Sequence, residues 1–206
     1  MSISVMGTMV VNQTRFHQAV AINEEVKRVV KISNEVNMAA LNAMLIAKRS
    51  GRSAAGFGVV SVALRNFSQH LDKVMAEVGK IVAKLVITGA NLCRQLQRQK
   101  LLRRTTSTLV EETLFRKVAI IGQLNEAIAA DKELLLVGLL KAKRLCAMGG
   151  AISRSARIES VHCQAFSGDL QQVSDQVEQS IAGMMAIVKS LHSLLAEEHY
   201  RNEITA

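Results

Sequence analysis

From residue 64 onward the seam positions fall at alternating steps of three and four: Leu64, Phe67, Leu71, Val74, Val78, Ile81, Leu85, Thr88, Leu92 and later Leu102. That spacing predicts a coiled-coil helix, because a 3.5-residue period keeps one stripe turned toward a partner as the helix winds. A second stripe, Met75, Val82, Val86 and Leu96, widens the seam beyond the needs of a two-stranded coil. It predicts a helix with several neighbours, as in a four-helix bundle. Leu170, Val173, Val177, Ile181, Met184, Val188, Leu191 and Leu195 repeat the pattern late in the chain. Ile22, Val26, Val29 and Ile32, and then Val110, Leu114, Ile121, Leu124, Ile128 and Leu135, supply two further stripes. The expected fold is all-α, with four helical arms.

Three segments break the arms. In SGRSAAGFG, Gly51, Gly56 and Gly58 concentrate backbone freedom and predict a hairpin turn, with Phe57 between two of them. In RRTTST, Thr108 precedes Glu111 at capping-box spacing, which predicts the N-terminus of a new helix. For the third break, local signals leave both Gly149-Gly150 and the segment around Gly168 open.

Residues 37–67 read NMAALNAMLIAKRSGRSAAGFGVVSVALRNF. This segment resembles the signalling hairpin of methyl-accepting chemotaxis proteins, the bacterial chemoreceptors. Ala40, Leu41, Asn42 and Ala43 match the opening of the family pattern, followed by Ala47, Arg49, Gly51, Gly56, Phe57, Val59, Val60 and Arg65. The resemblance implies a membrane-distal tip whose chain reverses near 51–56, in agreement with the glycine signal. It also implies contacts with a histidine kinase, its coupling protein and other receptor tips, and it makes Asn42 and Arg49 contact residues. Inspection of the residues keeps other roles open: Asn42 as a polar residue setting helix register, Phe57 as a core plug beneath the turn. Where the family carries glutamates, this chain has Ile46, Arg52 and Ala63. The tip has therefore shifted toward positive charge, with Arg52 joining Arg49.

Sliding the sequence by 113 residues places Ile22, Val26 and Val29 on Leu135, Leu139 and Ala142, and Val60, Leu64 and Leu71 on Val173, Val177 and Met184. The later segment also resembles the receptor motif: Glu159 stands at a family glutamate and His162 at the arginine position. This register favours a second turn near 164–168. The expected organisation is two tandem receptor-like hairpins, 1–104 with its tip near 51–56 and a degenerate 105–206, as long antiparallel coiled coils forming a four-helix bundle in one chain. Arms of about 50 residues imply a rod roughly 75 Å long. Either a monomeric pseudo-dimer or a homodimer is compatible with the pattern.

Composition supports the helical reading: the 206 residues include no proline or tryptophan, 49% hydrophobic residues and 3% aromatics. No apolar run approaches the roughly 20 residues that cross a bilayer, and no export leader is expected, which points to the cytoplasm. Cys93, Cys146 and Cys163 form neither a disulfide framework nor a zinc motif. The five histidines, His17, His70, His162, His192 and His199, match no catalytic or metal-ligand pattern, so neither enzymatic activity nor a cofactor is expected. Glu111-Glu112 and Gln171-Gln172 only partly resemble receptor adaptation sites. The formal charge is +9, and Arg94, Arg98, Lys100, Arg103 and Arg104 form a basic stretch. Nucleic acid and an anionic membrane are therefore alternative partners, weighed against a solvated helix face with few aromatics to stack on bases. The main expectation is a non-enzymatic chemosensory signalling protein acting through protein contacts; the alternative is a structural coiled-coil protein.

Overall fold

The computed structural model describes the backbone of residues 3–102, 108–163 and 167–204, and the side chains of residues 20–102, 113–163 and 167–196. Four α-helices account for nearly all of it: α1 (Ile3–Ser50), α2 (Ala55–Leu102), α3 (Thr108–Val161) and α4 (Ser167–Ile204), with a 3-10 turn at Gly51–Ala54. There is no strand among the described residues, and no described helix is long and apolar enough to cross a membrane. The protein is an all-helical bundle. α3 begins at Thr108, where the β-branched cluster predicted a start. Thr108 and Glu111 lie outside the described side chains. Gly149-Gly150 lies within α3, about three turns before its end, so that alternative for the third break is excluded. Helix instead ends at Val161 and resumes at Ser167; of the expected turn 164–168, residues 164–166 lie outside the described ones and Gly168 is already helical.

Contacts divide the chain into two compact units: Met1–Glu24 with Gly79–Leu135, and Glu25–Val78 with Leu136–Ala206. In the second unit, Val29, Val36, Leu64, Leu71, Met75, Leu139, Leu170 and Met184 are fully buried. The seam differs in detail from its sequence reading. Met75 and Val82, read as the flanking stripe, are buried, whereas Val74 and Ile81 are half-exposed. Ser33 and Ser174 take the interior places expected for Ile32 and Val173. The physical reason is angular: the stripe's centre is set by all neighbouring helices together, and a serine is admitted wherever a carbonyl accepts its proton.

Three tight approaches key α2 to α3 within this unit. The Phe67 ring lies over Gly149, where an added β-carbon would meet ring carbons at 2.6–2.9 Å. Val78 Cγ2 occupies the space beside Gly138, 2.7 Å from such a β-carbon. The Glu159 carboxylate packs against Gly56, overlapping the space a side chain there would need. Between α1 and α2, buried Ser33 and Ser68 each donate to the other's backbone carbonyl, with 3.0 Å between hydroxyl oxygens. α3 and α4 are linked at the surface by Arg157, with Asp175 at 3.8 Å and Glu178 at 3.3 Å.

The first unit is more open. Val82, Leu92 and Leu135 are buried, but Leu85, Val86, Leu96, Leu114, Ile121, Leu124 and Ile128, all read as seam residues, are only half-buried. Asp131 is buried there, with a side chain 3% exposed, and accepts a 2.7 Å hydrogen bond from Lys84 Nζ.

Burial repeats along the chain. Ile22, Val26, Val29, Phe57, Leu64, Leu71 and Met75 are buried, and so are the residues 113 positions later: Leu135, Leu139, Ala142, Leu170, Val177, Met184 and Val188. Ser61 and Ser174 make the same bond, each donating to the carbonyl four residues earlier, Phe57 O and Leu170 O, at 2.8 Å.

Candidate protein-contact site at the first turn

The first turn forms where the sequence places flexibility. Gly51 has φ +66°, a left-handed conformation in which a β-carbon crowds the following carbonyl, so glycine is the fitting residue. Ser50 Oγ donates to Ile46 O and Ser53 Oγ to Ser50 O, both at 2.9 Å, closing carbonyls at the end of α1. Gly56, Phe57 and Gly58, expected in the turn, stand instead in the first helical turn of α2. Two of them have a packing task. Gly56 makes room for Glu159 and Phe57 is a buried plug, whereas a β-carbon at Gly58 would make only an ordinary 3.8 Å contact with Ala47. Phe57 is 1% exposed, which places its ring in the interior beneath the turn.

Asn42, Arg49 and Arg52 are exposed. Their places follow from helix geometry: Val36, Ala40, Ala43 and Ala47 are buried, so the side of α1 carrying Asn42 and Arg49, seven residues apart, looks outward. Asn42 is thus not part of this chain's own buried core. The same outward side carries Met38 and Leu45, each 57% exposed, and α2 adds Val59 at 71% and Val62 at 43%. Lys48 and Arg49 occupy the last turn of α1, where cations favour the carbonyl end of the helix dipole. Exposed apolar and cationic side chains thus flank the turn on both helices.

Glu159 and His162, the corresponding residues of the later segment, differ from each other. Glu159 is half-buried against Gly56, whereas His162 is exposed and its backbone N–H donates to Glu159 O at 3.1 Å. Next to it, Cys163 is buried and its thiol donates to the same carbonyl at 3.2 Å. Burial, and secondarily the Glu159 charge, pushes the Cys163 thiol up. Burial alone pushes Cys146 up to about 11. Both shifts favour the neutral thiol over the thiolate. All three cysteines are free, and among the described residues no three His, Cys, Asp or Glu side chains gather as a metal site.

Of the basic stretch, Arg94, Arg98 and Lys100 are exposed on α2, while Arg103 and Arg104 lie outside the described residues. Arg94, Arg98 and Lys100 stand in the last turns of α2 (Ala55–Leu102), in the first unit, whereas the first turn belongs to the second. Sequence reasoning missed the Ser33–Ser68 pair and the buried Asp131. Ser33 and Ser68 were findable, since both fall at interior heptad steps; the Lys84–Asp131 pairing carries no local signal. Comparison with protein-family models and with curated proteins finds no match to this chain.

Proposed function

We propose that this chain is a non-enzymatic chemosensory adaptor, a diverged chemoreceptor-like tip that works by protein contacts with receptor tips, a coupling protein or a histidine kinase. One observation carries the reading: Asn42 and Arg49, the residues its receptor-like motif marks for contact, are exposed on one outward face with Met38 and Leu45. Arg52, where the family has glutamate, is exposed in the turn that follows and adds positive charge, so the partner surface suited is acidic with an apolar centre. The architecture that goes with this reading is two antiparallel coiled-coil hairpins in tandem, forming a four-helix bundle from one chain. Contacts favour it: partners of Phe67 and Val78 on α3 are Gly149 and Gly138, falling in number as α2 rises. The recurrence of burial after 113 residues is consistent with duplication. A cytoplasmic location follows from the proposed partners.

Pull-down of a bacterial receptor, coupling protein and kinase by the full chain tests the proposal. Recovery of at least one is expected, with a loss of tenfold or more, about 1.4 kcal/mol, when Asn42→Ala and Arg49→Ala are combined. Failure to recover any of the three overturns it and leaves a structural coiled-coil protein.

A further inference from the structure

The last turns of α2 and the early turns of α3 hold a surface that the receptor-like reading does not use. Residues 94–117 contain seven basic and two acidic side chains, so they carry +5 of the chain's +9. The described cations Arg94, Arg98 and Lys100 are exposed. Charge alone describes a solvated helix face. The apolar side chains among the cations do not fit that description. Leu101 is 63% exposed and Phe115 79% exposed, the latter the most exposed large hydrophobic side chain described.

These groups stand at one end of the first unit. Lys117 Nζ donates to Gln95 Oε1 at 3.1 Å, which sets the turn of α3 carrying Phe115 and Val118 beside the turn of α2 carrying Arg94 and Arg98. Arg94 and Leu101 are seven residues apart and look out on one side of α2. Cations with projecting Phe and Leu are the chemistry of an interfacial surface: the cations meet lipid phosphates while the apolar groups enter the headgroup and acyl boundary. We propose that this end of the first unit docks on an anionic lipid bilayer, with Arg94, Arg98 and Lys100 on phosphates and Leu101 and Phe115 inserted. A phosphodiester backbone would satisfy the cations but leave Leu101 and Val118 without a role, which favours lipid over nucleic acid.

The test uses the full chain with vesicles of equal parts phosphatidylcholine and phosphatidylglycerol, against vesicles of phosphatidylcholine alone and duplex DNA. Sedimentation with the anionic vesicles only, weakening as salt rises, is expected. Arg94→Gln and Arg98→Gln should each reduce vesicle affinity about fivefold and together about thirtyfold. Asn42→Ala should leave it unchanged, so the result is separable from the tip contacts. Because the chain has no tryptophan, Phe115→Trp supplies a single reporter whose emission should shift to the blue on binding and be quenched by brominated lipid. It needs no destabilising change at an exposed site, and helicity by circular dichroism checks each variant. No sedimentation with anionic vesicles, equal binding to both vesicle types, unshifted emission from the vesicle-bound Phe115→Trp variant, or binding to DNA in place of vesicles each overturns the proposal.

Discussion

Ser33, Ser61, Ser68, Ser153, Ser160 and Ser174 are buried in a protein whose interior is otherwise mostly aliphatic. Each hydroxyl donates to a carbonyl, most of them three or four residues back on the same helix, as Ser153 does to Gly150 O and Ser160 to Arg157 O. Such local bonds remove the penalty of burying a polar group, so small residues stand where helices approach closely. Glycines divide by the same test of space. Gly149→Ala drives a β-carbon into the Phe67 ring and should lower stability by about 1–3 kcal/mol. Its neighbour Gly150 meets only Arg154 Nη1 at an ordinary 3.7 Å, and Gly150→Ala should raise stability by about 0.5–1 kcal/mol through helix propensity. Urea unfolding of the two variants checks the contrast. At this scale the sequence was legible at Gly51, where a turn demanded glycine, and illegible at Gly149. A glycine required by a distant aromatic leaves no trace in its own neighbourhood.

Among the elements, the helices themselves were the legible part: the heptad steps located stripes on all four, and the glycine-rich segment and Thr108 located two of the breaks. The centre of each stripe was less so, since Met75 rather than Val74 is the buried residue. Long helices also bring together groups that no local pattern joins. Lys84 and Asp131 are such a pair, with Asp131 Oδ2 buried and without a hydrogen-bond partner while Oδ1 receives the lysine. Lys84→Met leaves the buried carboxylate uncompensated and should cost about 1–3 kcal/mol, discounted because Lys84 is 64% exposed. Adding Asp131→Leu should recover most of that loss, because an apolar side chain needs no partner. A double-mutant cycle by chemical denaturation measures both steps.

For the whole molecule, unequal burial predicts unequal stability. Residues 25–50 and 55–78 carry fully buried side chains at nearly every seam step, whereas residues 79–102 and 113–130 hold mostly half-buried ones. Amide exchange is expected to be slower in the former by at least about tenfold, near 1.4 kcal/mol of local stability, with mass spectrometry of deuterium uptake as the measurement. Arg49 was readable as a surface residue from the motif, and Arg52 from its departures, whereas the sequence left Asn42 open between an interior and a surface role. That Val59 and Leu45 stay bare was not legible, because such residues look the same in sequence whether covered or exposed. What the sequence by itself determined is helical class, seam period and the position of the first turn, since these depend on local spacing and on the φ preferences of single residues. The tertiary structure alone decided which helix meets which and which apolar residues stay exposed. A seam of Leu, Val and Ile accepts many partners. The choice rests on matches of large against small, Phe67 on Gly149 and Val78 on Gly138, between residues far apart in the chain.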